Sequence, residues 1–132
     1  APGASSSSSD VFPGYGSISA GAEVKPEDLP RYYENIEKIA ADLRDNPISE
    51  DELTRARRPM VESLSRSRND NGYWIGQLQD AQEKPASLDE IRHHVADLES
   101  VTPADIQRMA QTYLRPDRAW RAEVVSANAP AQ

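Results

Sequence analysis

Two short segments with strand-like alternation, separated by a long helical stretch, constrain the fold of this chain most strongly. From Tyr15 to Val24, small apolar residues occupy every second position, which predicts a strand with one buried face. The segment Ala119 to Val125 is predicted as a second strand. A sheet of two strands is at best marginally stable. We therefore expect both strands to belong to a larger sheet whose other strands lie outside this chain.

About five helices are predicted between these strands. Pro26 begins the first helix, and Asn46-Pro47 ends it. Ser49 and Glu52 form a capping box at the start of the second helix. Pro59 lies inside that helix, where its missing N–H predicts a kink. The apolar positions predicted to face inward are Leu29, Tyr33, Ile36, Ala40 and Leu43 in the first helix, and Leu53, Ala56, Met60 and Leu64 in the second.

Three further helices follow the break at Asn69-Asp70-Asn71-Gly72. The third helix ends before Lys84-Pro85, and Ser87 with Glu90 predicts a capping box for the fourth. Thr102-Pro103 predicts an N-cap and a proline in the first turn of the fifth. The predicted inward residues are Trp74, Leu78 and Ala81, then Leu88, Ile91, Val95 and Leu98, then Ile106, Met109, Ala110 and Tyr113.

Composition excludes several classes of function. The 132 residues are 37% hydrophobic and 28% charged, as expected for one soluble domain or a piece of one. A net charge of −7 argues against binding to nucleic acid or to an anionic membrane. The chain contains no cysteine, which excludes disulfides, thiolate metal sites and cysteine nucleophiles. It starts with neither a signal peptide nor a methionine, so we expect a processed or cloned piece.

An ordered series of short motifs runs through the chain from Phe12 to Ser126. The motifs are Gly14-Tyr15-Gly16-Ser17-Ile18, Val24-Lys25-Pro26-Glu27, Pro47-Ile48-Ser49-Glu50-Asp51-Glu52-Leu53, Ala56-Arg57, Asn71-Gly72-Tyr73-Trp74, Val101-Thr102-Pro103-Ala104-Asp105-Ile106 and Ala110-Gln111-Thr112-Tyr113-Leu114. In order and spacing they resemble the end of a unit of the pitrilysin/insulinase family of zinc metallopeptidases. The resemblance implies an α+β fold of the mitochondrial-processing-peptidase type, with helices packed on one face of a mixed sheet. This chain would supply about two strands and five helices of that partial domain.

In that family, homologous units close like a clam shell around unfolded peptides, and one unit carries the zinc motif His-x-x-Glu-His. The histidines of this chain, His93 and His94, are adjacent and would point about 100° apart on a helix, so they cannot act as that i, i+4 pair. The family's Arg/Tyr pair, which supports the substrate carbonyl, would lie just before Ala1. We therefore assign no catalytic, cofactor-binding or metal-binding residue to this chain.

The resemblance implies a non-catalytic, substrate-enclosing C-terminal portion of a zinc-dependent endopeptidase that is inactive without its zinc-bearing unit. Its partners would be that unit, from the same polypeptide or a sister subunit, and an unfolded peptide. Zinc is expected in the partner or upstream unit, no nucleic acid or membrane is expected, and the fragment could self-associate. We expect a periplasmic location, or otherwise a cytoplasmic one.

The corresponding division of the chain is a Ser-rich loop or edge segment at 1–12, the peptidase-like α+β portion at 13–126, and a disordered tail at 127–132. The alternative function is a helical protein–protein interaction module unrelated to proteolysis. A small-molecule hydrolase is disfavoured by the shortage of histidine and the absence of cysteine.

Four groups of residues have both a functional and a structural interpretation. His93 and His94 could bind a metal with Asp97 or Glu99, or lie on a solvated helix face. The serine run could hold a nucleophile, or form a loop or exposed edge able to add a peptide strand. The arginines of the second helix could contact an acidic partner, or form helix-face ion pairs. Aromatic residues after the helix break could bind peptide, or fill a core or interface. The serine run is Ser5–Ser9, the arginines are Arg55, Arg57, Arg58, Arg66 and Arg68, and the aromatic residues are Tyr73 and Trp74. Trp120, on the final predicted strand, is predicted to be structural.

Overall fold

The computed structural model describes residues 2–9, 11–79, 81, 84–85 and 87–125. The predicted tail at 127–132 lies outside them. The described chain forms two antiparallel strands and five α-helices, so its fold class is α+β, as predicted. The elements are β1 (Gly3–Ser8), β2 (Gly16–Gly21), α1 (Leu29–Asp45), α2 (Glu50–Ser67), α3 (Asn71–Gln79), α4 (Ser87–Ser100) and α5 (Pro103–Tyr113), with short 3-10 turns at Pro26–Asp28 and Pro116–Arg118. The chain divides into two compact units: unit 1 is Ala1–Asn46 with Arg108–Gln132, and unit 2 is Pro47–Gln107.

A β-hairpin opens unit 1. β1 pairs with β2 in a register that runs from Gly3 opposite Gly21 to Ser8 opposite Gly16. In the turn, the Ser9 hydroxyl accepts hydrogen bonds from the backbone N–H groups of Val11 at 3.2 Å and Phe12 at 3.0 Å. Gly14 has φ +77°, a conformation that glycine adopts without steric cost. The serine run is therefore an exposed edge strand followed by a turn, which was one of the two structures predicted for it.

The prediction of a buried face on the first alternating segment is wrong. Every residue of β1 and β2 is exposed, including Ile18 at 56%. Glycine, alanine and serine offer little apolar area, so a helix packed on this hairpin would gain little from burying it. Within the described residues the sheet has two antiparallel strands, which is the number that this chain was expected to supply to a larger sheet.

The prediction of a closing strand at Ala119 to Val125 is also wrong. These residues, called here the C-terminal segment, have no regular secondary structure. They lie along α1, where the Tyr33 hydroxyl donates to the carbonyl oxygen of Ala122 at 3.3 Å and Arg121 pairs with Glu37. The segment thus attaches to a helix through polar groups, and no described strand lies beside it.

The first helix of unit 1 has the predicted limits. The 3-10 turn starts at Pro26 and leads directly into α1. Asn46 ends the helix, with its amide nitrogen donating to the Asp42 carboxylate at 2.7 Å. The end of α1 is also bonded to the end of α5, because the Gln111 side chain donates to the Arg44 carbonyl at 2.9 Å.

The capping box predicted for α2 in unit 2 is confirmed. The Ser49 backbone N–H donates to the Glu52 carboxylate at 2.9 Å, and the Glu52 N–H donates to the Ser49 hydroxyl at 3.2 Å. The hydroxyl of Ser49 lowers the pKa of Glu52, because its hydrogen bond favours the charged carboxylate. The predicted inward face of α2 is confirmed only in part, since Leu53 is 5% exposed and Leu64 is half-buried, but Ala56 and Met60 are exposed. The helix is continuous through Pro59, and the kink there stays a prediction.

The break between α2 and α3 is a turn organised by side chains. The Asp70 carboxylate accepts hydrogen bonds from the N–H groups of Gly72 at 2.6 Å and Tyr73 at 3.3 Å, which caps α3. The prediction that Trp74 and Leu78 face inward is wrong, since they are 36% and 46% exposed. The apolar residues of α3 are spread around the helix, so no single face can bury all of them.

The apolar face predicted for α4 is confirmed. Ile91 is 7% exposed, and the other predicted residues, Leu88, Val95 and Leu98, are half-buried. The capping box predicted at its start is wrong. Ser87 already belongs to the helix, and its hydroxyl donates to the Lys84 carbonyl at 2.8 Å.

The predicted start of α5 is confirmed at Thr102-Pro103, where Thr102 and Asp105 exchange hydrogen bonds in a capping box. Its inward face is confirmed only in part. Ala110 is 5% exposed and Ile106 is half-buried, but Met109 and Tyr113 are 50% and 54% exposed. The buried apolar core of the described residues is therefore very small: Leu53, Ile91 and Ala110.

Candidate functional site

The concave surface of unit 2 lies between α2 and α4. The larger groove has a volume of about 470 Å³, and a second one measures about 270 Å³. The larger groove is lined by Pro59, Met60, Ser63, Leu64, Ser67, His94 and Leu98. Its wall is mainly apolar, and the flexible thioether of Met60 is 55% exposed. A shallow groove of this kind suits contact with an apolar side chain or helix better than enclosure of a reacting group.

The two histidines do not act on a common point. His93 Nδ1 lies 2.8 Å from the Asp89 carbonyl oxygen, whereas His94 lines the larger groove. Both are exposed. In the part of the chain that the structure describes, no group of three or more metal-ligating side chains comes together. The described residues therefore add no further ligand to the metal site considered for His93, His94, Asp97 and Glu99.

Four of the five arginines in the predicted cluster divide into two sets, and the fifth, Arg66, lies in the last turn of α2. One set makes exposed ion pairs on the helix surface, Arg55 with Asp51 at 3.1 Å and Arg58 with Glu62 at 2.8 Å. The hydrogen bond from Arg58 lowers the pKa of Glu62. The other set ties α2 to the rest of unit 2, with Arg57 donating to the Val101 carbonyl and Arg68 donating to the Ile91 carbonyl at 2.7 Å. The ion-pair interpretation is confirmed for the first set, and the second set is structural.

Tyr73 and Trp74 form an edge-to-face pair with ring centres 5.2 Å apart. The Trp74 indole N–H donates to the Arg68 carbonyl at 2.7 Å, and the Arg68 guanidinium lies 5.9 Å from the ring centre. The Tyr73 hydroxyl is buried and has no hydrogen-bond partner among the residues that the structure describes. The indole therefore stabilises the turn between α2 and α3, which favours the structural interpretation of this pair. Trp120 was also predicted to be structural. It lies in the C-terminal segment and is 86% exposed, so burial does not support that prediction.

The serine hydroxyls of the hairpin bond to one another and to the backbone. Ser7 and Ser17 face each other across the strands at 3.0 Å between hydroxyl oxygens, and the Ser9 hydroxyl accepts from backbone amides. These bonds account for the serines as components of an edge strand and its turn. Among the described residues, no side chain that could act as a general base is hydrogen-bonded to these hydroxyls.

Sequence reasoning missed the cluster that holds the C-terminal segment. The Arg121 guanidinium lies 4.8 Å from the centre of the Tyr33 ring and pairs with Glu37, although 84 residues separate Arg121 from Glu37. Loss of solvent around the hydroxyl, followed by the nearby Glu123 carboxylate, raises the pKa of Tyr33. No local pattern predicts a contact at this sequence separation. The charged residues that alternate with apolar ones in the segment were the available signal.

Comparisons of the chain with known protein families, with curated proteins and with solved structures found no match. Among the residues described, no helix combines the length and the apolar character that crossing a membrane requires.

Proposed function

We propose that this chain is the non-catalytic, substrate-enclosing C-terminal portion of a zinc-dependent endopeptidase of the pitrilysin/insulinase type, acting on unfolded peptides. The observation that carries the proposal is the two-stranded sheet: among the described residues β1 and β2 pair only with each other, as expected for strands taken from a larger sheet. The ordered motifs quoted above supply the link to the peptidase family.

The positions of those motifs support the proposal. Gly14-Tyr15-Gly16-Ser17-Ile18 leads into β2, and the motif ending at Leu53 contains the capping box of α2. The Asn71-Gly72-Tyr73-Trp74 motif starts α3, and the Val101 to Ile106 motif starts α5. These four motifs lie where a strand or helix begins, whereas Ala56-Arg57 lies inside α2 and the motif Ala110 to Leu114 lies at the end of α5.

The role proposed for the chain is to form a wall of a closed chamber. Closure removes water from around the scissile bond and excludes folded proteins. The apolar groove containing Met60 and Leu64 would face the side chains of an unfolded peptide. Zinc and the water-activating Glu would come from the zinc-bearing unit of the same polypeptide or of a sister subunit, in the periplasm.

The test combines this chain with the zinc-bearing unit encoded upstream of it. Cleavage of an unfolded, internally quenched peptide is expected from the mixture, and none from this chain alone. A stably folded protein containing the same peptide sequence serves as the control and should survive. Cleavage by this chain alone at the rate of the mixture would contradict the proposal.

The second candidate is a helical interaction module with no link to proteolysis. Exposure of Met60 in an apolar groove between α2 and α4 favours it, because such grooves accept amphipathic helices. The same mixing experiment separates the two candidates. An interaction module would bind a partner without raising peptide cleavage, and Met60→Glu would weaken that binding.

A further inference from the structure

Among the described residues, no backbone group is hydrogen-bonded to the outer edge of β1. The Ser9 N–H donates to the Tyr15 carbonyl at 2.9 Å, which makes these two residues a hydrogen-bonded pair in line with the register of the strands. Hydrogen-bonded and non-hydrogen-bonded pairs alternate in an antiparallel ladder. The β1 residues of the non-hydrogen-bonded pairs, which are Ala4, Ser6 and Ser8, therefore direct their N–H and C=O groups away from β2.

This edge lacks the usual protection against pairing. β1 contains no charged residue and no proline, and its register with β2 is unbroken by a bulge. Natural edge strands normally use at least one of these devices. Its side chains are only those of glycine, alanine and serine, so another strand can approach without a steric barrier. A two-stranded hairpin also gains stability when further strands join it.

We propose that β1 pairs with β1 of a second copy of this chain, antiparallel about a twofold axis at Ser6. In this register Ser6 faces Ser6 of the second copy and Ala4 faces Ser8, so every outward-facing residue of the strand finds a partner. The two hairpins become one sheet in the order β2, β1, β1, β2. Because the contact is twofold, it closes on itself and ends at a dimer.

The serine face of the hairpin agrees with this register. Ser5 and Ser19 are opposite each other, as are Ser7 and Ser17, and the hydroxyls of the latter pair are 3.0 Å apart. Twofold pairing at Ser6 places Ser5 beside Ser7 of the second copy. Each row of hydroxyls then continues across the whole sheet, where each serine can donate to the next.

The opposite edge of the hairpin is the weaker candidate. β2 has glycine at both ends, Gly16 and Gly21, whereas β1 has glycine only at Gly3. Glycine loses more conformational freedom on ordering and offers no side chain to pack against a neighbour. We therefore expect self-pairing at the edge of β1, and the edge of β2 stays open to other strands.

Sedimentation equilibrium over a concentration series tests the proposal. The mass of the chain is expected to rise from 14.6 kDa towards twice that value. Ser6→Pro removes an outward N–H from both copies at the axis and spares the bonds within the hairpin, so dimerisation should weaken by at least about tenfold. Ile18→Pro is the matched control, because it removes an outward N–H from the β2 edge. Circular dichroism verifies that both variants keep their helices.

A monomer at every concentration would overturn the proposal, as would Ile18→Pro weakening the dimer while Ser6→Pro does not. If both variants lose the dimer, cross-linking decides. The chain has no cysteine, so Ser6→Cys introduces a single thiol whose partner lies across the axis at about 5.5 Å between Cα atoms, within disulfide range. Mild oxidation should link Ser6→Cys at least about tenfold faster than Ile18→Cys, and equal rates would refute the twofold at Ser6.

Discussion

Replacing Leu53 by alanine should remove most of the stability of unit 2. Leu53 is 5% exposed, and with Ile91 it makes up the buried apolar core of the described part of that unit. The substitution deletes about three carbon groups, worth about 2.4 kcal/mol at about 0.8 kcal/mol per methylene. The cavity left behind raises the expected loss in free energy of unfolding to about 3 kcal/mol. Because the core is so small, the remaining buried apolar area cannot compensate for the loss of the Leu53 side chain.

Urea unfolding followed by tryptophan fluorescence measures this loss. The chain has two tryptophans, Trp74 in unit 2 and Trp120 in unit 1, so a Trp120→Phe background makes Trp74 the reporter. Met60→Ala is the matched control, because Met60 lies on the same helix and is 55% exposed. We expect the control to change stability by no more than about 0.5 kcal/mol. Equal losses in the two variants, or a loss below about 1 kcal/mol for Leu53→Ala, would refute the assignment of Leu53 to the core.

Three further predictions follow from contacts made by single side chains. Ser49→Ala should lower the free energy of unfolding, measured with urea, by about 1 kcal/mol. Because the pKa of Glu52 is lowered in the folded protein, the capping contribution is present above the ordinary pKa of glutamate and is lost as pH falls through the lowered value. The difference in stability between wild type and variant should therefore narrow in acid. Arg121→Ala should speed amide hydrogen exchange in the α1 turn around Glu37 and around Ala122, as read by mass spectrometry, and unchanged exchange there would contradict the attachment of the C-terminal segment. Asp70→Ala should destabilise α3 by about 1 kcal/mol, whereas Asp70→Asn, which keeps a capping oxygen, should cost clearly less.

The helix starts could be predicted because capping is local. Ser49 with Glu52, and Thr102 with the acidic residue three positions on, carry their hydrogen-bond partners within one turn of chain. The limits of α1 were predictable for the same reason, since Pro26 and Asn46 act on their own neighbours.

The alternating pattern predicted β2, but β1, the path of the C-terminal segment and the exposed faces could not be predicted from local sequence. β1 is a strand because its residues pair with residues that are 8 (Ser8 with Gly16) to 18 (Gly3 with Gly21) positions away, while a serine run by itself is compatible with a loop. The fate of the C-terminal segment depends on Tyr33, which is 89 residues from Ala122. Periodicity identifies the apolar side of a helix, but only tertiary structure decides whether Met109 or Tyr113 is covered.

The indole of Trp74 also limits how this surface can be re-engineered. A solubility redesign would first select large apolar side chains in contact with water, and Trp74 would be among them together with Val124 and Ile75. Val124 and Ile75 can be exchanged for polar residues at little cost, because exposed positions without special contacts tolerate substitution. Trp74 cannot, since phenylalanine or leucine would leave the Arg68 carbonyl without the N–H that it now accepts. At this corner of the molecule, the donor atom matters more than the hydrophobicity of the ring.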